Sequence, residues 1–264
     1  MTNKRSYLNI SRIVVMVGFA VFIIFCAVGA FAEDDIAARL NSMFYKANSL
    51  YAEGSYREAI EAYDNTIAKG YESGNLYYNL GNSYFKAGYL GEAVLYYERA
   101  LRLIPRDGDL RSNYSHTRSL VKGNIYEPRE IWFFRFIYRM FEEFTVNEIT
   151  ILLSIIYLLI IAALLIGILL KLRRQALITI SVLGLISVLC LLSLIKDIDR
   201  YGKEAIVMAE SAEAKFEPFD RATTHFILYE GMKVRNIQKK DGWLKVERPD
   251  GKVGWVEDPA LEII

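Results

Sequence analysis

The sequence predicts a multi-domain membrane protein in which an all-α helical array is followed by a two-helix transmembrane hairpin and a small all-β barrel. Three observations lead there: long uncharged apolar runs, an internal period of 34 residues, and a C-terminal stretch of short β-rich segments punctuated by Asp-Gly turns. Of 264 residues 53% are hydrophobic, and these are gathered into three blocks that a soluble core does not need. The 32 basic and 31 acidic residues leave a net charge of +1, so no broad basic surface exists for nucleic-acid phosphates. Cys26 and Cys190 each lie inside an apolar block, and His116 and His225 stand far apart. Zinc chemistry, thiol catalysis and a Ser-His-Asp triad are thereby excluded, and no titratable cluster has catalytic spacing. A non-enzyme without metal or cofactor is expected.

Residues 1–32 form an export signal. Lys4, Arg5 and Arg12 precede an apolar run from Ile13, and Ala30-Phe31-Ala32 closes it with a small-x-small site before three acidic residues. Either a cleaved signal peptide or an uncleaved anchor fits, and both export the chain beyond Ala32.

Residues 33–125 carry the repeat. With Gly74 as position 1 of a 34-residue unit, Tyr77, Leu80, Gly81 and Tyr84 fall at positions 4, 7, 8 and 11, and Ala93, Tyr97, Ala100 and Pro105 at 20, 24, 27 and 32. Small residues let two antiparallel helices approach, large ones fill the space between them, and proline ends the second helix. The unit 40–73 is a weaker copy, departing at Lys46, Thr66 and Tyr71, and Asp109–Val121 has the spacing of a capping helix. These two units, 40–73 and 74–107, resemble tetratricopeptide repeats. Two repeats and a cap are few for independent stability, so the array is expected to lean on a partner or on the membrane-proximal helix.

The tetratricopeptide resemblance implies a concave face that binds extended or helical peptides. Its positions are Asn41, Phe44, Asn48 and Tyr51 (with Ala52) in repeat one, and Asn75, Tyr78, Asn82, Phe85 and Lys86 in repeat two. Asn can grip a peptide backbone through paired donors and acceptors, and aromatics give rigid apolar contact; packing against a neighbouring helix is the other reading of these residues. The family's carboxylate-clamping version has Asn where Asn48 and Asn79 stand, but its basic residues would fall at Phe44, Asp109 and Asn113, so binding of a chain terminus is not expected.

Residues 126–148 place Arg135 and Arg139 on one helical face opposite many aromatics. An amphipathic helix results, lying in the membrane interface or docked on the transmembrane pair. The hairpin follows: Ile149–Leu170 and Ala176–Ile195 hold no charge over 22 and 20 residues, each roughly 30 Å of helix. Loop 171–175 carries three basic residues and no acid, which places it in the cytoplasm. The rest of the chain outside this loop and the N-terminal cluster has a net charge of −5, so the array and the barrel are both expected on the periplasmic side of a bacterial inner membrane.

After a linker, 196–204, the texture of residues 205–264 predicts five strands, with Asp250-Gly251 as a two-residue hairpin and Asp241-Gly242 as another turn. Tyr229-Glu230-Gly231, Asp241-Gly242-Trp243 and Asp250-Gly251 leading to Gly254-Trp255-Val256 resemble a bacterial SH3-like domain. Lys215-Phe216-Glu217-Pro218 departs from the Arg-Ser-Gly-Pro of many relatives, which weakens any transfer of cell-wall binding. Trp243 and Trp255 are expected to be packing residues.

The whole order of elements resembles the BatE family, the tetratricopeptide proteins of bacterial Bat (aerotolerance) operons. That resemblance implies a non-enzymatic inner-membrane scaffold, with von Willebrand A-type Bat membrane proteins and a MoxR-type AAA+ ATPase as neighbours. The alternative is a cell-wall sensor whose SH3-like domain binds peptidoglycan.

Overall fold

In the computed structural model the described residues are 38–123, 141 and 143–264. The export signal of 1–32 and most of the aromatic segment 126–148 lie outside them. The chain separates into two compact units, Met1–Tyr71 and Glu72–Ile264, so the division falls between the two repeats.

In the first unit, helix α1 (38–52) and helix α2 (Tyr56–Ala68) form a hairpin. Gly54 turns it in the left-handed region at φ 83°, and Ser55 N–H closes onto Leu50 C=O at 3.0 Å. Ala47, Ala59, Ile60 and Tyr63 make its core. The departures from the repeat pattern are accommodated. Lys46 is exposed, and buried Thr66 donates its hydroxyl to Ala62 C=O at 2.8 Å. Tyr71 packs its ring 6.3 Å from that of Phe44.

The second unit begins with α3 (Gly74–Ala87), α4 (Leu90–Leu103) and α5 (Gly108–Leu120). Ser73 and Asp107 cap α3 and α5 by accepting from Leu76 and Leu110 N–H, and Gly88 ends α3 at φ 89°. Leu76, Leu80, Ala93, Tyr97 and Ala100 are buried between α3 and α4. Gly81 is needed there, because an added Cβ would lie 2.8 Å from the Tyr97 ring.

Helices α6 (Val146–Leu169) and α7 (Arg173–Arg200) are both long and apolar enough to cross a membrane. Their limits differ from those expected. Thr145 and Glu148 form a reciprocal capping box that starts α6 three residues before the apolar run. Arg173 and Arg174 open α7 instead of belonging to the loop, and α7 continues through most of the expected linker to Arg200. Charged residues extend a helix beyond its apolar part at little cost, since Arg, Lys and Asp are acceptable in exposed turns.

The C-terminal region is an antiparallel sheet of seven strands: β1 (Glu204–Val207), β2 (Ser211–Lys215), β3 (Thr224–Tyr229), β4 (Lys233–Lys240), β5 (Trp243–Glu247), β6 (Val253–Glu257) and β7 (Leu261–Ile263), in the order β3-β2-β6-β5-β4-β1-β7. The expected five strands omitted β2 and β7. The turns also exchange roles. Asp241-Gly242 is the two-residue hairpin, with φ 48° and 81° between paired Lys240 and Trp243. Asp250-Gly251 is the second half of a longer turn, in which Pro249 follows Arg248 and Gly251 N–H donates to Arg248 C=O at 2.8 Å. Arg248 pairs with Asp250 there and pulls its carboxyl down to about 2.

What the second repeat leans on is this sheet. Val94 and Leu95 of α4 and Val121 after α5 share one core with Ala205, Ile206, Val207, Met232, Val234 and Leu261. Two glycines permit the approach. A Cβ on Gly91 would lie 3.0 Å from Val207 C=O, and one on Gly231 would lie 2.8 Å from Val121. Gly91 N–H donates to Glu230 Oε1 at 2.8 Å, so the Tyr229-Glu230-Gly231 motif serves to seat the helices.

An ion network centred on buried Glu98 locks the same junction. Lys233 Nζ lies 3.1 Å from Glu98 and 2.9 Å from Glu204, Arg200 reaches Glu204 at 2.9 Å, and Tyr114 donates its hydroxyl to Glu98. Burial alone would raise the Glu98 carboxyl. Lys233, with hydrogen bonds from Tyr114 and from Lys233 itself, outweighs that and holds it below its ordinary value.

Candidate peptide-binding face

Each repeat presents its first helix as the expected binding face, and the two faces follow one pattern. On α1, Asn41 is exposed and Phe44, Asn48 and Tyr51 are half-buried. Tyr63 of α2 donates to Asn48 Oδ1 at 2.6 Å, and Tyr71 reaches Asn41 Oδ1 at 3.5 Å. The Phe44 ring lies 6.2 Å from that of Tyr63, and Tyr51 packs 5.4 Å from Tyr56.

On α3, Asn75 and Lys86 are exposed, and Tyr78, Asn79, Asn82 and Phe85 are half-buried. Tyr97 of α4 donates to Asn82 Oδ1 at 2.7 Å, the counterpart of Tyr63 on Asn48 one repeat earlier. Helix α5 adds Asn113, which the sequence placed only at a clamp position of the family, and His116, which it did not place on this face. Asn113 Nδ2 donates to Asn82 Oδ1 at 3.0 Å and to the Tyr78 hydroxyl at 2.9 Å. His116 meets the Phe85 ring edge to face at 5.7 Å. Asn113 was legible in the sequence as a polar residue on the inner side of a capping helix, three positions after buried Leu110.

These contacts restrict the chemistry of the face. A primary amide has one carbonyl acceptor and an NH2 carrying two donors. In both repeats a tyrosine from the second helix donates to the amide oxygen, which fixes the amide in orientation. At Asn82 the oxygen accepts from both Tyr97 and Asn113, so its two lone pairs are used and the acceptor half of the expected grip is taken there. Around these amides the aromatic rings offer flat apolar surface with little rotamer freedom to lose. Among the described residues no group of three or more His, Cys, Asp or Glu side chains could hold a metal ion.

No curated protein matches this sequence. Residues 46–108 match the tetratricopeptide repeat family, a stretch that holds most of the first repeat and all of the second; helices paired in this way imply a protein-interaction role, with other proteins as partners.

Proposed function

We propose that the protein is a non-enzymatic scaffold of the bacterial inner membrane whose exported repeats bind peptide segments of partner membrane proteins, within a Bat-type aerotolerance or stress-response complex. The observation that carries this reading is the recurrence of one prepared face at 34-residue spacing: Asn48 and Asn82, each held by a tyrosine fifteen residues on, beside Phe44 and Tyr51 in one repeat and Tyr78 and Phe85 in the next. A side chain that serves only the packing of its own repeat has no need to be flanked by exposed Asn41 and Asn75. The apolar length of α6 and α7 supports insertion in a membrane, and the basic residues Lys171, Arg173 and Arg174, in the turn and at the start of α7, support a cytoplasmic turn with the repeats and β domain outside.

The test is photo-cross-linking in cells with a photoreactive residue at Asn75 or at Asn41, positions that are exposed on the face. Cross-links to integral membrane proteins support the scaffold. Adducts to cell-wall fragments, or cross-links formed only from positions on the β domain, replace it with the cell-wall sensor.

A further inference from the structure

We propose that the turn joining α4 to α5, from Leu103 to Arg106, is a lipid-contacting surface seated in the headgroup layer of the bilayer that α6 and α7 cross. The inference rests on the reading of those two helices as membrane spans and adds to it where the second repeat sits.

Two contacts fix the depth. Arg106 Nη2 lies 2.5 Å from Glu148 Oε1, and Arg106 also donates to Glu143 C=O at 3.3 Å. Glu148 is the last charge before the uncharged run that begins at Ile149, so this guanidinium stands at the edge of the hydrocarbon. One turn of helix earlier in α4, the Arg102 guanidinium lies 4.7 Å over the ring of Tyr201 and 3.5 Å from Glu204. Tyr201 follows Ile195, the last residue of the other apolar run, by six residues, or about 9 Å of helix. The headgroup layer is about 5–7 Å deep on each side. Arg106 therefore stands at the inner edge of that layer and Arg102, beside Tyr201, just past its outer edge, so the turn from Leu103 to Arg106 lies within the headgroup layer.

Its exposed side chains suit that position. Leu103 lies between Arg102 and Arg106 in sequence and is 41% exposed, and Phe144 and Tyr201, the rings beside Arg106 and Arg102, are 42% and 51% exposed. An aliphatic residue flanked by two arginines and two aromatic rings matches the chemistry of an interface that is apolar on one side and anionic on the other. Glu204 meets Arg102 while Val207 C=O faces Gly91, so β1 and α4 run antiparallel, and it is the Leu103 end of α4 that lies beside the end of α7. Leu120, at the opposite end of α5 from this turn, is about 18 Å farther along that helix.

The experiment places one added tryptophan at a time in the full chain, reconstituted in phosphatidylcholine and phosphatidylglycerol vesicles, with the parent protein as the blank for Trp132, Trp243 and Trp255. Leu103→Trp should show blue-shifted added emission that is lost in vesicles of lipid brominated near the headgroup and is protected from aqueous iodide. Leu120→Trp should show the reverse. Leu158→Trp, in the middle of α6, should be quenched by lipid brominated deep in the chains; if it is not, the spans themselves fail. With Leu158→Trp quenched, water-like emission from Leu103→Trp overturns the proposal, and so does blue-shifted emission that brominated lipid leaves untouched, since protein then covers Leu103. Should Leu103→Trp not fold, Leu103→Cys carrying a polarity-sensitive probe, in a Cys26→Ala and Cys190→Ala background, reads the same depth.

Discussion

Tyr97 donates its hydroxyl proton to Asn82 Oδ1 at 2.7 Å, tying the second helix of its repeat back to the first. The bond recurs one repeat earlier, from Tyr63 to Asn48 at 2.6 Å. Both tyrosines are almost fully buried and both asparagines only partly so, which makes each pair a strut running from the core to the proposed binding face. Packing of the repeat and orientation of the face are therefore linked through single hydrogen bonds. Removing Asn82 would take the acceptor from both Tyr97 and Asn113; removing the Tyr97 hydroxyl would leave Asn82 its bond from Asn113.

That asymmetry gives the first prediction. Tyr97→Phe should cost about 0.5–1.5 kcal/mol, the net worth of one hydrogen bond, while Asn82→Ala should cost about 1–3 kcal/mol because it removes the acceptor that serves both Tyr97 and Asn113. In the double variant the penalty should fall short of the sum, and thermal melts of the three detergent-solubilised proteins measure the coupling. Strict additivity would mean the two side chains do not depend on each other.

A second prediction concerns the close approach of α3 and α4. Even Gly81→Ala puts a methyl 2.8 Å from the Tyr97 ring, and Gly81→Leu should cost about 1–3 kcal/mol or more. Gly108→Ala is the control: it stands at the start of α5 with nothing within 4 Å of an added Cβ, and should leave the melting temperature unchanged or raise it. Equal effects of Gly81→Ala and Gly108→Ala would contradict the packing described.

The junction between α4 and the sheet supplies a third. Lys233→Met leaves the buried Glu98 carboxylate with Arg118 Nη1, 4.0 Å away, as its cation, and should cost up to about 3–5 kcal/mol, much of which the further change Glu98→Leu should restore. The pH dependence has a definite sign. Because the Glu98 carboxyl is held below its ordinary value of 4.5, its contribution is complete above that pH and is lost as pH falls through the lowered value. Acidification below 4.5 should then destabilise the parent more steeply than the Glu98→Leu, Lys233→Met protein. Parallel pH profiles for the two would show that the pair contributes nothing on folding.

What could be read in the sequence, and what could not, depends on the range over which residues act. The 34-residue period, the helix-ending Pro105 and the contact glycine Gly81 are local, and all stand where expected. Strand β2, Ser-Ala-Glu-Ala-Lys, escaped because its residues favour helix; it is a strand because Ala212 and Ala214 alternate into the core beneath Phe226 and Gly254. The support of the second repeat was invisible for another reason. Lys233 and Glu98 stand 135 residues apart, and nothing local to either marks it as a partner of the other. On the binding face, the asparagines and aromatics were legible from repeat position. Their occupied carbonyls were not, since that required knowing that Tyr63 and Tyr97 point back toward the first helix.

The last prediction separates the scaffold from the cell-wall sensor and uses the strut to do so. Asn48→Asp with Asn82→Asp keeps an oxygen for Tyr63 and Tyr97 to donate to, so the repeats should stay folded, but it replaces the amides of the proposed binding face with carboxylates, which cannot donate to peptide carbonyls. Loss of two such hydrogen bonds, at about 1 kcal/mol or more each, should weaken capture of membrane partners by tenfold or more. Trp243→Ala acts elsewhere. Its ring is buried in the sheet with Lys215 Nζ 5.4 Å from its centre, so the change should cost about 3–5 kcal/mol of β-domain stability. Cross-linked partner yield and a melting curve on each variant decide the matter. If the Asp pair captures partners as well as the parent does, while Trp243→Ala abolishes capture in a protein that still melts cooperatively, the binding surface belongs to the β domain and the repeats only carry it.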